Sequence, residues 1–76
     1  MFETIRSLLA SQLDIDEEII TRDTDIIEDL GADSLDLAEL MSMLEDEYGF
    51  VVDDEDVHDI HTVEDVERYV ADHVDN

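Results

Sequence analysis

Apolar residues recur along this chain with the spacing of helices, and hardly anywhere with the alternation of strands. Phe2, Ile5, Leu8, Leu9 and Leu13 fall on one face of a helix over 2–14. From 15 to 33 the pattern breaks: Ile19, Ile20, Ile26, Ile27 and Leu30 are scattered among acids, and Thr21, Asp23, Thr24 and Asp25 favour turns. An ordered loop pinned by the isoleucines, with a short helical turn, is expected there. A second helix starts near Asp33 or Ser34, both good N-caps, with Asp36 in its first turn. Leu37, Leu40, Met41, Leu44 and Tyr48 form its stripe, and Gly49 ends it. Phe50-Val51-Val52 has no evident partner strand and reads as an extended connector packing on the core.

Asp54 to His61 reads as a short third helix burying Val57 and Ile60. Thr62 opens the last helix, with Asp65 three residues on completing a capping box. Val63, Val66, Tyr69, Val70, His73 and Val74 make its stripe. The expected fold is all-α: a small four-helix bundle, three main helices plus one short one, with a long ordered loop between the first two. Its 76 residues make one domain with a single modest core.

Charge changes the picture. There are 25 Asp and Glu against three Arg and no Lys, a formal charge of −22. Such acidity raises the question of disorder. Leu, Ile, Val and Phe supply 24 of the 76 residues, a share well above the roughly 20% below which disorder is expected. A fold is expected, weakened by self-repulsion and helped by salt or divalent cations. Nucleic acid and anionic membranes are poor partners for this surface, and basic protein patches are good ones. No apolar run approaches the roughly 20 residues that span a bilayer, so no membrane insertion is expected. The start, Met1-Phe2-Glu3-Thr4, lacks the basic and apolar regions of a signal peptide. The absence of cysteine fits a reducing compartment, and a monomer in the cytoplasm is the expectation.

The chemistry converges on Leu30-Gly31-Ala32-Asp33-Ser34-Leu35-Asp36. Gly31 lets the loop turn sharply into the helix. Ser34 then lies in the first turn, where a phosphate ester would meet free N–H groups and the positive dipole end. No His lies close in sequence to act as a base, so a hydrolase triad has little support and no catalytic residue is expected. From the residues alone, Ser34 is either a plain N-cap or an exposed hydroxyl that another enzyme modifies. His58 and His61 read as an exposed pair, and no metal site is expected. A calcium-binding loop needs glycine at its sixth position; counting from Asp14, Asp23 and Asp53 brings Ile19, Glu28 and His58 there. An acidic inhibitor or mimic that binds a basic enzyme would suit the charge, but it would leave the serine motif accidental.

That motif, with the helix order, the acidity, the Leu44-Glu45-Asp46-Glu47-Tyr48 segment and the closing Thr62-Val63-Glu64-Asp65 helix, resembles the acyl carrier proteins across nearly the whole chain. The resemblance implies that Ser34 carries 4'-phosphopantetheine, added from coenzyme A by a phosphopantetheinyl transferase. The arm's thiol would hold acyl groups as thioesters and pass them between enzymes, with fatty acid biosynthesis as the expected pathway. Specialised carriers of polyketide, nonribosomal peptide or aminoacyl (for example D-alanyl) pathways are the alternative. The second helix resembles the family's recognition helix. Asp33, Asp36, Glu39, Glu45 and Asp46 would face basic docking patches on fatty acid or polyketide synthesis enzymes. Leu35, Ala38 and Ser42 match partner-facing positions. Relatives often have Val and Met where this chain has Ala38 and Ser42, so the apolar part of the docking face is reduced.

Overall fold

The computed structural model describes residues 1–74. Helix α1 spans Phe2–Leu13, α2 spans Ser34–Tyr48 and α3 spans Val63–Val74. A 3-10 turn at Glu17–Ile19 and a 3-10 segment at Asp54–Asp59 lie in the connections. The described residues form no paired strands, and Phe50–Val52 is the expected extended connector.

Each stripe read from the sequence supplies the core. Ile5 and Leu9 enter from α1; Leu37, Leu40, Met41 and Leu44 from α2; Val63, Val66 and Val70 from α3. Ile20 and Ile26 from the long loop and Ile60 after the 3-10 segment complete it. Each such buried side chain is worth about 1.5–3 kcal/mol relative to exposure. Ile19, by contrast, is 59% exposed, so only some of the loop's isoleucines pin it.

The loop is held at its middle. The Asp25 carboxylate accepts from the backbone N–H groups of Ile27 and Glu28 at 3.0 and 2.8 Å. An isolated antiparallel bridge pairs Asp25 with Thr62, where the Ile26 N–H donates to the His61 carbonyl at 2.8 Å. The Val63 and Glu64 N–H groups donate back to Thr24 and Arg22. The start of α3 is therefore stitched to the middle of the loop, which no local sequence signal revealed. Thr62 and Asp65 form the expected reciprocal cap, each side-chain oxygen accepting the other's backbone N–H at 3.1 Å.

One element differs in kind from its expectation. The short third helix is 3-10 rather than α, and it stops at Asp59. Four of its six residues are acids and Val57 is its only apolar side chain. So short a segment, with one residue to anchor it, cannot repay the nucleation of an α-helix. Tyr69 of α3 fastens it instead. The Tyr69 hydroxyl donates to Asp56 at 2.8 Å and accepts from the Asp53 N–H at 3.2 Å.

Candidate functional site

Gly31 closes the long loop with φ 74°, a left-handed conformation that glycine adopts readily and that makes the expected sharp turn. Its N–H donates to the Ile27 carbonyl, and buried Ala32 follows. The chain thus arrives at the mouth of α2 in a fixed direction.

The cap at that mouth is Asp33, not Ser34. The Asp33 carboxylate accepts from the Asp36 N–H at 2.9 Å, and the Asp36 carboxylate accepts from the Asp33 N–H at 3.3 Å. This reciprocal box removes the plain N-cap reading of Ser34. Ser34 occupies the first helical position, exposed, and its hydroxyl makes no hydrogen bond among the described residues. The backbone N–H groups of Ser34 and Leu35 precede the first intrahelical bond and are free, as at any helix start. An anion attached to the Ser34 oxygen would sit against two free donors and the positive end of the helix dipole.

An open groove of about 390 Å³ runs from Ser34 between α2 and the 3-10 segment. Ile27, Leu37, Val57 and Ile60 give it apolar walls, and Ala38, Asp54, His58 and His61 complete its lining. A slender, partly apolar group on Ser34 would fit this channel. A second groove of about 410 Å³ lies between α1 and α2 and is lined by Leu8, Ser11, Gln12, Glu39, Ser42 and Met43. There the Gln12 amide donates to the Asp36 carbonyl at 2.7 Å, tying the first turn of α2 to α1.

The eight residues read as a docking face lie along α2 and its cap, but in two conditions. Leu35 is 67% exposed, and Ala38, Glu39, Ser42 and Asp46 are exposed as well. Asp33 and Asp36 are engaged in the capping box. Glu45 is half-buried, and its carboxylate accepts the Val52 N–H, which holds the connector against α2. Sequence reasoning missed this second duty of Glu45, and also the sharing of one groove by Ser34, His58 and His61. Both depend on how segments far apart in sequence are brought together. Among the described residues no cluster of three or more His, Asp or Glu is placed to hold a metal ion.

The arms of charge are short. Arg22 pairs with Glu67 at 2.9 Å, Arg6 lies by Glu3 and Glu17, and Arg68 lies by Glu64 and Asp65. The Arg22 guanidinium is held above its ordinary value by its hydrogen bond to Glu67 and by that carboxylate's charge. Among the described residues no arginine pairs with an acid of α2, so the exposed acids of that helix, Glu39 and Asp46 among them, are left unneutralised around Leu35, Ala38 and Ser42.

Fold and site together form a small helical module that presents an exposed, unbonded serine hydroxyl at a helix start beside an open groove. A family model described as the phosphopantetheine attachment site matches residues 3–70. Acyl carrier proteins from three strains of Clostridium perfringens are 40% identical over 75 residues, covering 99% of this chain and 99% of theirs. A chain in the solved structure of the ishigamide ketosynthase/chain length factor superposes with a TM-score of 0.76 at 33% identity, covering 96% of this chain and 92% of that one. The chain belongs to the acyl carrier protein family, whose domain is the phosphopantetheine attachment site.

Proposed function

We propose that this chain carries growing acyl groups on a phosphopantetheine arm attached to Ser34, and that it serves fatty acid biosynthesis in the cytoplasm. The observation that supports this most is the division of labour at α2: Asp33 takes the cap, and the Ser34 hydroxyl is left exposed and unbonded. Once attached, the arm supplies a thiol that holds the acyl group as a thioester. The chain's own residues do the rest. Gly31 and the capping box aim Ser34 outward, and the free N–H groups of Ser34 and Leu35 face the phosphodiester. The exposed acids Glu39 and Asp46, with Asp33, Asp36 and Glu45 beside them, attract a basic patch on each partner. Leu35, Ala38 and Ser42 give that contact its apolar part. Acids at this density favour fast, salt-sensitive docking that releases readily, as a shuttle requires. The chain acts as carrier, and catalysis stays with the transferase and the synthesis enzymes.

Intact mass after incubation with coenzyme A, Mg²⁺ and a broad-specificity phosphopantetheinyl transferase tests the reading. A gain of one phosphopantetheine that Ser34→Ala abolishes is expected. No gain on folded protein, or a gain that survives in the variant, would overturn it.

A second reading, service to a polyketide-type synthase, is favoured by the likeness to a chain in the ishigamide ketosynthase/chain length factor structure. Parallel elongation assays on the loaded chain separate the two. The fatty acid reading expects the faster turnover with a fatty acid ketosynthase. Faster turnover with a ketosynthase/chain length factor pair would transfer the assignment to the second.

A further inference from the structure

Among the described residues, the groove beside Ser34 brings two imidazoles, those of His58 and His61, to the same space as the serine. Its polar rim consists of Ser34, Asp54, His58 and His61. All three arginines lie elsewhere: Arg6 and Arg22 stack over the Phe2 ring, and Arg68 sits by Glu64 and Asp65 on α3. His58 and His61 are therefore the only side chains lining this groove that can carry positive charge. Both are exposed, and neither ring makes a hydrogen bond among the described residues, so their N–H groups are available. The backbone around them is fixed: the His61 N–H donates to the Asp65 carboxylate at 3.0 Å, and its carbonyl accepts from Ile26.

We propose that His58 and His61 are positioning residues for the arm. Their rings donate to the phosphodiester and first amide of an arm on Ser34 and lay it along Ile27, Leu37, Val57 and Ile60. The inference rests on Ser34 being the attachment residue. The other charged groups nearby are all acids. Asp54 shares the rim, Asp59 adjoins His58, Asp65 stands at the start of α3, and Asp33 and Asp36 stand at the mouth of α2. Each of these repels a phosphodiester, so the imidazoles are the only side chains here that attract it. A protonated imidazole carries a positive charge that attracts the phosphodiester, so acid strengthens the hold and alkali loosens it.

The test uses protein loaded from isotope-labelled coenzyme A, with loading verified first by intact mass. The expected result has two parts. NOEs run from the arm to both imidazole rings at pH 5.5 and weaken by pH 8, and the ³¹P shift of the phosphodiester moves over the same interval. His58→Ala/His61→Ala, with an unchanged backbone amide spectrum, loses both signals. His58→Arg/His61→Arg restores the contacts and makes them independent of pH. Loaded protein without NOEs to either ring, or an alanine variant with the same ³¹P response as the parent, would overturn the positioning role alone. Failure to load would instead overturn the attachment reading, and this inference with it.

Discussion

Replacing Asp33 and replacing Ser34 should have opposite consequences, although the two are neighbours at one helix start. Asp33→Ala removes the acceptor of the 2.9 Å bond from the Asp36 N–H and leaves only the weaker half of the box, the 3.3 Å bond from the backbone N–H at position 33 to the Asp36 carboxylate. Loss of such a cap costs about 1 kcal/mol, with an upper range of about 2. It also deletes one negative charge from a chain of formal charge −22, which offsets part of the loss by relieving repulsion. Asp33→Asn controls for this, since it deletes the same charge and keeps a side-chain oxygen. The difference between the two variants isolates the cap. In a domain of this size, 1 kcal/mol corresponds to about 4–8 °C in Tm. Ser34→Ala removes a hydroxyl that makes no hydrogen bond among the described residues, at a position where Ala is the better helix former, so its effect should stay within about 0.5 kcal/mol. Thermal and urea unfolding followed by circular dichroism, with intact mass after transferase treatment, reads both properties. Asp33→Ala should be the less stable variant yet still be modified, and Ser34→Ala should be stable and unmodified. Equal destabilisation by the two alanines would refute the assignment of the cap to Asp33.

Three further outcomes are expected. Burial by itself pushes the Asp65 carboxyl up. Hydrogen bonds from the Thr62 and His61 N–H groups and the Thr62 hydroxyl, with the Arg68 charge, outweigh it and hold Asp65 below its ordinary value. Its stabilisation is therefore full above the unfolded value of about 3.9 and is lost as pH falls below it. Asp65→Asn should lose stability at pH 7 and converge on the parent near pH 2; a constant gap across acid titration would refute this. The Cα radius of gyration, 11.2 Å, is close to the screening length of about 10 Å at 0.1 M salt, so acids on neighbouring parts of the surface still repel one another. Raising NaCl toward 1 M should raise Tm, and a fall would mean that the few arginine pairs outweigh the repulsion. Glu39→Lys should not destabilise the fold, because the side chain is exposed, makes no hydrogen bond or ion pair among the described residues, and its replacement relieves repulsion. It should slow association with partner enzymes at low salt, and unchanged kinetics by stopped flow would remove Glu39 from the docking face.

The sequence by itself determined the three main helices, because each carries an apolar stripe long enough to be read at helical period. It determined their ends where local chemistry sets them: Gly31 and Gly49 at positive φ, and the Thr62/Asp65 cap. It also marked Ser34, through neighbours only one to three residues away. The tertiary structure decided what depends on distant partners. Asp33 and Ser34 were equal candidates for the cap until the backbone direction after Gly31 committed Asp33 to it. The long loop had no period to read, since its order comes from the Asp25–Thr62 bridge and from burying Ile20 and Ile26 among all three helices. The short third helix became a 3-10 segment because Tyr69, 13 residues beyond Asp56, supplies the fastening that its own apolar content lacks. The groove from Ser34 to His58 and His61 exists only once α2 and that segment pack together. A local pattern can state what each segment will become and which residue it offers. The shape of the space beside that residue is set by contacts the pattern does not contain.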